Sequence, residues 1–101
     1  MRSEASLQAW FTRVLNSHGA YTQKLISASR RGFPDMLVIY QGDVWFVELK
    51  QENGHPSVFQ DREINRLRTA GANALIVYGK QGCEDFIHYL LKEDSNDNNS
   101  I

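Results

Sequence analysis

Two short runs rich in branched and aromatic residues, Met36 to Gln41 and Val44 to Lys50, flank the dipeptide Gly42-Asp43. Such runs favour strands, and Gly-Asp is a two-residue hairpin signal, so this stretch predicts an antiparallel hairpin. With Gly42 and Asp43 as the loop, Gln41 opposes Val44, Ile39 opposes Phe46, Leu37 opposes Glu48 and Asp35 opposes Lys50. Side chains alternate faces along a strand and directly opposed residues share one, so Asp35, Glu48 and Lys50 point the same way. A three-residue loop would move the register by one and turn Asp35 to the far face. Val44-Trp45-Phe46-Val47 is apolar on both faces, so Glu48 and Lys50 end a buried strand rather than line a wet edge.

Two carboxylates and one ammonium on a single face form a minimal set for hydrolysing a phosphodiester with a divalent cation. Mg²⁺ and Mn²⁺ prefer hard oxygen ligands, and Mg²⁺ usually takes only one or two carboxylates while keeping several waters. Asp35 and Glu48 are the candidate carboxylates, with the backbone carbonyl of Leu49 as a third protein ligand. Such an ion polarises a phosphoryl oxygen and makes a bound water more acidic. Lys50 would set a positive charge where negative charge builds up, and would orient or help deprotonate the attacking water. Its flexible stem and shiftable pKa suit that work better than a rigid guanidinium. The ordinary explanation is that Glu and Lys two apart on a strand form a solvated pair worth about 0–1 kcal/mol. Two placements favour a site instead: the pair closes an apolar strand, and Asp35 follows Pro34 where a carboxylate has no capping job.

The remaining pattern reads αβββαβα. Leu7, Trp10, Phe11, Val14 and Leu15 form the stripe of an amphipathic helix between Ser3, a cap, and Gly19, a stop. Tyr21 to Ser27 is a strand candidate, followed by the hairpin. A polar loop, Gln51 to Pro56, leads to a helix from Val58 to Ala70 that Gly71 ends. Ala74 to Tyr78 is a short apolar strand, and Glu84 to Lys92 is a helix presenting Phe86, Ile87, Leu90 and Leu91. A helix between the third and fourth strands implies a mixed sheet flanked by helices, an α/β fold. Residues 1–92 are expected to form one domain, and the Asn/Asp/Ser-rich residues 93–101 a disordered acidic and polar tail.

Arg31-Gly32-Phe33-Pro34-Asp35-Met36-Leu37-Val38, then Val47-Glu48-Leu49-Lys50, then Ser57-Val58-Phe59-Gln60 resembles the PD-(D/E)xK nuclease superfamily. More narrowly, it resembles the virus-type replication-repair nuclease (VRR-NUC) domain, from about Glu4 to Tyr78. The short superfamily motif is degenerate, and its combination with the later Gln60 is more selective. The resemblance implies a restriction-endonuclease-like fold and a Mg²⁺- or Mn²⁺-dependent DNA endonuclease. Asp35 and Glu48 would be metal ligands and Lys50 the catalytic lysine. Stand-alone phage or bacterial members acting as homodimers on branched DNA, such as four-way (Holliday) junctions, are implied as well. An acid in the first helix near the metal is also a family feature, and Glu4 falls there, although an acid in a first turn favours the helix dipole anyway. Ser57-x-x-Gln60 is a capping box on its own terms. The resemblance adds a role for Gln60 in orienting water or contacting substrate beside the metal.

Charge at first argues against a nucleic-acid partner, since the formal net is −1. Three of the 12 acids (Glu93, Asp94, Asp97) lie in the last nine residues, leaving 11 basic against 9 acidic groups, a net of +2, in the first 92. That predicts modest, strongly salt-sensitive binding to duplex DNA. Arg30 and Arg31, before Gly32, are the first candidates for phosphate contact, and Lys24 extends their patch. Arg62 and Arg66, with Arg68, form a second candidate surface, diluted by Asp61 and Glu63.

A chain of 101 residues fits one domain. No apolar run approaches the roughly 20 residues of a membrane span, and the N-terminus does not read as a signal peptide. The lone Cys83 excludes an internal disulfide and fits a reducing cytosol, which the resemblance to phage and bacterial members implies is a bacterial cytoplasm. The alternative to an enzyme is a non-catalytic nucleic-acid-binding or assembly module that keeps the fold. The intact Asp35, Glu48 and Lys50 set argues against it. A two-fold homodimer is expected because resolving a junction needs two nicks on symmetry-related strands. The hairpin also offers apolar surface on both faces, Met36, Val38, Tyr40, Trp45 and Val47 on one and Leu37, Ile39 and Phe46 on the other, which three short helices need not cover.

Overall fold

Helix α1 (Glu4–Ser17) opens the fold, with the Ser3 hydroxyl accepting from the Ser6 amide at 3.0 Å. Leu7, Phe11 and Leu15 recur at helical spacing and are buried, and the chain leaves the helix at Gly19 with a positive φ of 90°. Strands β1 (Tyr21–Lys24), β2 (Met36–Tyr40) and β3 (Asp43–Lys50) follow, then α2 (Val58–Thr69), β4 (Asn73–Tyr78) and α3 (Gly79–Asn99). The order is the expected αβββαβα. The computed structural model describes the backbone of residues 3–99 and the side chains of residues 3–92.

One mixed sheet carries the strands in the order β1-β2-β3-β4. The first two pairings are antiparallel, and β4 joins β3 in parallel after the crossover through α2. Met36, Val38, Tyr40, Val47, Leu49 and Val77 point to one face and pack with Leu7, Phe11 and Leu15 of α1 and Phe86, Ile87 and Leu90 of α3. Trp45 completes that face, edge-on to Phe86 and Tyr89 at 5.4 and 5.9 Å. The chain covers most of this face itself, but Trp45 stays half-buried and borders an apolar groove of about 410 Å³ with Leu75, Phe86 and Tyr89. The opposite face is less protected: Leu37, Ile39 and Phe46 are half-buried, and Tyr21 and Val44 are exposed.

The hairpin turn differs from expectation. Tyr40 pairs with Asp43, so the two-residue loop is Gln41-Gly42 and Asp43 belongs to the strand. Both loop residues have positive φ, 53° and 86°, as a type I′ turn demands, and glycine at the second position carries that conformation without strain. The register shifts by two, an even number, which keeps every side chain on its expected face. Leu37 now meets Phe46 and Ile39 meets Val44, matching apolar with apolar residues where the expected pairing set Leu37 against Glu48. One step beyond the last ladder pair, Met36 with Val47, Asp35 comes level with Glu48 rather than Lys50.

Two further boundaries move. β1 ends at Lys24, and Leu25 only donates its amide to the Asp35 carbonyl at 2.7 Å before the chain turns away and leaves Ile26 exposed. α3 begins at Gly79, not Glu84. Gly82 lies inside the helix, where a Cβ on it would lie 3.3 Å from the Val77 side chain. The helix buries Cys83 and continues to Asn99, so the expected domain boundary at residue 92 falls inside it. Residues 100 and 101 of the expected tail lie outside the described residues. No helix among the described residues is long and apolar enough to cross a membrane.

Candidate active site

The end of the hairpin away from its turn brings together acids from three elements. Carboxylate oxygens of Glu4 in α1, Asp35 before β2 and Glu48 in β3 lie within 4.8 Å of one another. Glu4 is exposed, Asp35 half-buried and Glu48 buried, with 1% of its surface accessible. Asp35 is held by the sheet itself, its Oδ2 accepting from the Leu49 amide at 3.1 Å. Amide and carbonyl of one strand residue point to the same side, so the Leu49 carbonyl is also on the Asp35 side, past the last ladder pair.

Glu48 has unequal oxygens. Oε2 accepts from the side-chain Nε2 of Gln60 at 3.0 Å and lies 3.5 Å from the Lys50 ammonium. Oε1 is buried and, among the described residues, no donor reaches it. Burial pushes the Glu48 carboxyl up to about 8, the neighbouring Asp35 adds to the rise, and Lys50 opposes it. A buried carboxylate crowded by two more acids, with Lys50 as its neighbouring cation, is a costly arrangement that a second cation would relieve. The hard oxygen donors and their spacing fit a divalent ion.

Gln60 closes the expected capping box and also reaches Glu48. Its Oε1 accepts from the Ser57 amide at 2.8 Å while the Ser57 hydroxyl accepts from the Gln60 amide at 3.1 Å, closing the capping box. Its Nε2 is the group that reaches Glu48. The start of α2 is fixed against the site by Gly32, whose φ is 78°. A Cβ there would fall 2.3 Å from the Phe59 carbonyl carbon and 2.5 Å from the Gln60 amide nitrogen. Only glycine lets the loop before Pro34 lie directly on the backbone of α2.

The arginines are not two surfaces. Arg30, Arg31, Arg62 and Arg66 line one cleft of about 490 Å³ together with Ser29, Phe59 and Glu63. Arg31 stacks over the Phe59 ring at 4.0 Å. Glu63, expected only to dilute the positive field, is buried, and its Oε1 accepts from Nη1 of Arg30 at 3.1 Å and of Arg66 at 3.0 Å. Its burial was not legible in sequence, since it depends on a partner 33 residues away. Lys24 stands apart, lining a groove with Ala5 and Gln8 of α1, and Arg68 is engaged with the Ala74 carbonyl at 2.7 Å.

No family model matches the chain. "Putative nuclease p44" of Acyrthosiphon pisum secondary endosymbiont phage 1 is 32% identical over 75 residues, covering 73% of this chain and 81% of that protein. A solved VRR_NUC domain is 36% identical and superposes with a TM-score of 0.77, covering 84% of this chain and 94% of that one. Two more distant structures share the fold. A VRR_NUC domain protein, 17% identical, has a TM-score of 0.70 over 89% of this chain and 88% of its own. Archaeoglobus fulgidus Hjc, a Holliday junction resolvase from an archaeal hyperthermophile, is 16% identical with a TM-score of 0.57 over 74% of this chain and 67% of its own. With the carboxylates, lysine and glutamine gathered at one end of such a sheet, the chain belongs to the VRR-NUC family of nucleases.

Proposed function

We propose that this nuclease is a Mg²⁺- or Mn²⁺-dependent endodeoxyribonuclease acting on branched DNA, with four-way junctions as its substrate. The observation that carries the metal reading is the cluster of Glu4, Asp35 and Glu48 around a buried Glu48 oxygen that no donor among the described residues reaches. Those three carboxylates and the Leu49 carbonyl would hold the cation. Bound there, it supplies Lewis-acid polarisation of the phosphoryl oxygen and a more acidic water. Lys50, mostly buried and 3.5 Å from Glu48, sets its ammonium where the transition state gains negative charge and orients or deprotonates the attacking water. Gln60 holds Glu48 in place and presents its amide beside the reacting groups. Lys24 and the four arginines of the cleft contact DNA phosphates.

Branched DNA and a two-fold homodimer belong together. One chain offers one hydrolytic site, whereas a junction needs two symmetry-related nicks. The half-open sheet face of Leu37, Ile39, Val44 and Phe46 supports association, and the fold shared with a protein described as a Holliday junction resolvase supports the substrate. The buried Cys83 thiol and the phage relative fit action in a bacterial cytoplasm. The test is cleavage of labelled duplex, flap, splayed and four-way DNAs with Mg²⁺ or Mn²⁺, beside sedimentation equilibrium. Cleavage of the four-way junction by a dimer is expected. A strict monomer with and without DNA would sink the dimer, and intact junctions beside cut flaps would sink the resolvase assignment alone.

A further inference from the structure

We propose that Glu63 is the positioning residue of a phosphate-binding cleft, gathering Arg30 and Arg66 so that, with Arg31 and Arg62, they grip the backbone of the DNA strand being cut. The inference rests on the DNA nuclease reading above. Glu63 is 3% exposed on a helix whose only other buried residue is Ile64. Burying a carboxylate is expensive unless it is paired, and a pair that served only solubility would stay at the helix surface. Here the partners come from two places, Arg66 one turn along α2 and Arg30 from the loop that leads to Asp35. One carboxylate thus ties the loop carrying Asp35 to the helix carrying Gln60.

The arginines are held without being used up. Each guanidinium has five N–H donors in a rigid fork, and only Nη1 of Arg30 and of Arg66 is engaged by Glu63. Their side chains stay 54% and 66% exposed on the cleft wall. Arg31 is fixed separately by its stacking on Phe59. Four arginines against one glutamate give the cleft a formal charge of +3 on a chain whose net is −1. Pre-positioned guanidinium forks match phosphate oxygens bidentately. Arg31 precedes Asp35 by four residues, at most about 14 Å of extended chain. A DNA strand offers a charge every 3.4 Å of axis, so the cleft takes phosphates within about four steps of the bond cleaved.

The sign of one substitution separates positioning from simple charge. Glu63→Gln removes a negative charge from a DNA-binding cleft, so electrostatics alone predicts tighter binding. Positioning predicts the reverse. Anisotropy of a labelled duplex in Ca²⁺, titrated between about 50 and 200 mM KCl, gives affinity and its salt slope. Glu63→Gln should weaken binding several-fold and reduce the slope magnitude by about 0.9 to 1.8, the loss of one or two phosphate contacts. The same change in an Arg30→Ala, Arg66→Ala background should add nothing. Unchanged or tighter binding by a folded Glu63→Gln protein, or an equal loss in the double-alanine background, would overturn the proposal. If Glu63→Gln does not fold, Arg30→Ala, Arg66→Ala decides alone, an unchanged slope overturning it. Cleavage is read apart: wild-type protein that binds with this slope but never cuts would overturn the nuclease chemistry and leave the cleft standing.

Discussion

Replacing Gly32 with alanine should damage the fold and the site together, and its magnitude follows from two separable terms. Holding an alanine at a φ of 78° costs about 1–2 kcal/mol, as at any left-handed position. The second term is contact. The new Cβ would lie 2.3 Å from the Phe59 carbonyl carbon, where carbon atoms normally rest about 3.5–4.0 Å apart, so α2 must retreat by more than 1 Å. Overpacking of that kind costs about 1–3 kcal/mol, for a total of about 2–5 kcal/mol. Gly42→Ala is the control, because Gly42 has a similar φ of 86° and nothing within 4 Å of its added Cβ. It should cost only the first term and leave cleavage alone, since the turn is at the opposite end of the hairpin from the carboxylates. Urea unfolding followed by circular dichroism measures both. A retreat of α2 also draws Gln60 from Glu48, and a misplacement of about 1 Å costs about 10²-fold in rate. Equal destabilisation by the two substitutions, or wild-type cleavage by Gly32→Ala, would refute the claim that this contact sets the site.

Asp35→Asn, Glu48→Ala and Lys50→Ala should each lower cleavage by about 10²-fold or more, the two carboxylate changes also weakening metal binding in calorimetry. Ca²⁺ should support DNA binding with little cleavage. Glu48 has a folded pKa near 8 against an ordinary 4.5, so its proton-linked contribution is fully present below pH 4.5 and is lost as pH rises to about 8. In EDTA, stability should fall across that window by up to about 1.4 kcal/mol per pH unit, a slope that Glu48→Gln flattens, and metal binding near pH 7 should release a proton. A flat wild-type profile would contradict this. Ser57→Ala and Gln60→Ala both break the capping box and should cost about 0.5–2 kcal/mol each, but only Gln60→Ala should impair cleavage beyond that loss.

The sequence by itself determined the element order and the shared face of Asp35, Glu48 and Lys50. Hydrophobic periodicity sets the first, and the second survives any even shift of register because a strand repeats every two residues. Sequence pattern pointed to Gly42-Asp43 as the loop, and apolar pairing of Leu37 with Phe46 across the strands moved it to Gln41-Gly42. Gln60 was legible as a cap from Ser57-x-x-Gln60 and as a site candidate only through the family resemblance; its donor and acceptor ends let one side chain reach both Ser57 and Glu48. Glu63 was not legible. On its own helix it is one more acid among arginines, and only the loop folding back over Gly32 supplies Arg30 and takes it out of water. The same packing merged two arginine clusters into one cleft. Local pattern fixes which residues share a face. Which faces meet is decided by contacts between residues far apart in the chain, and no local period encodes those.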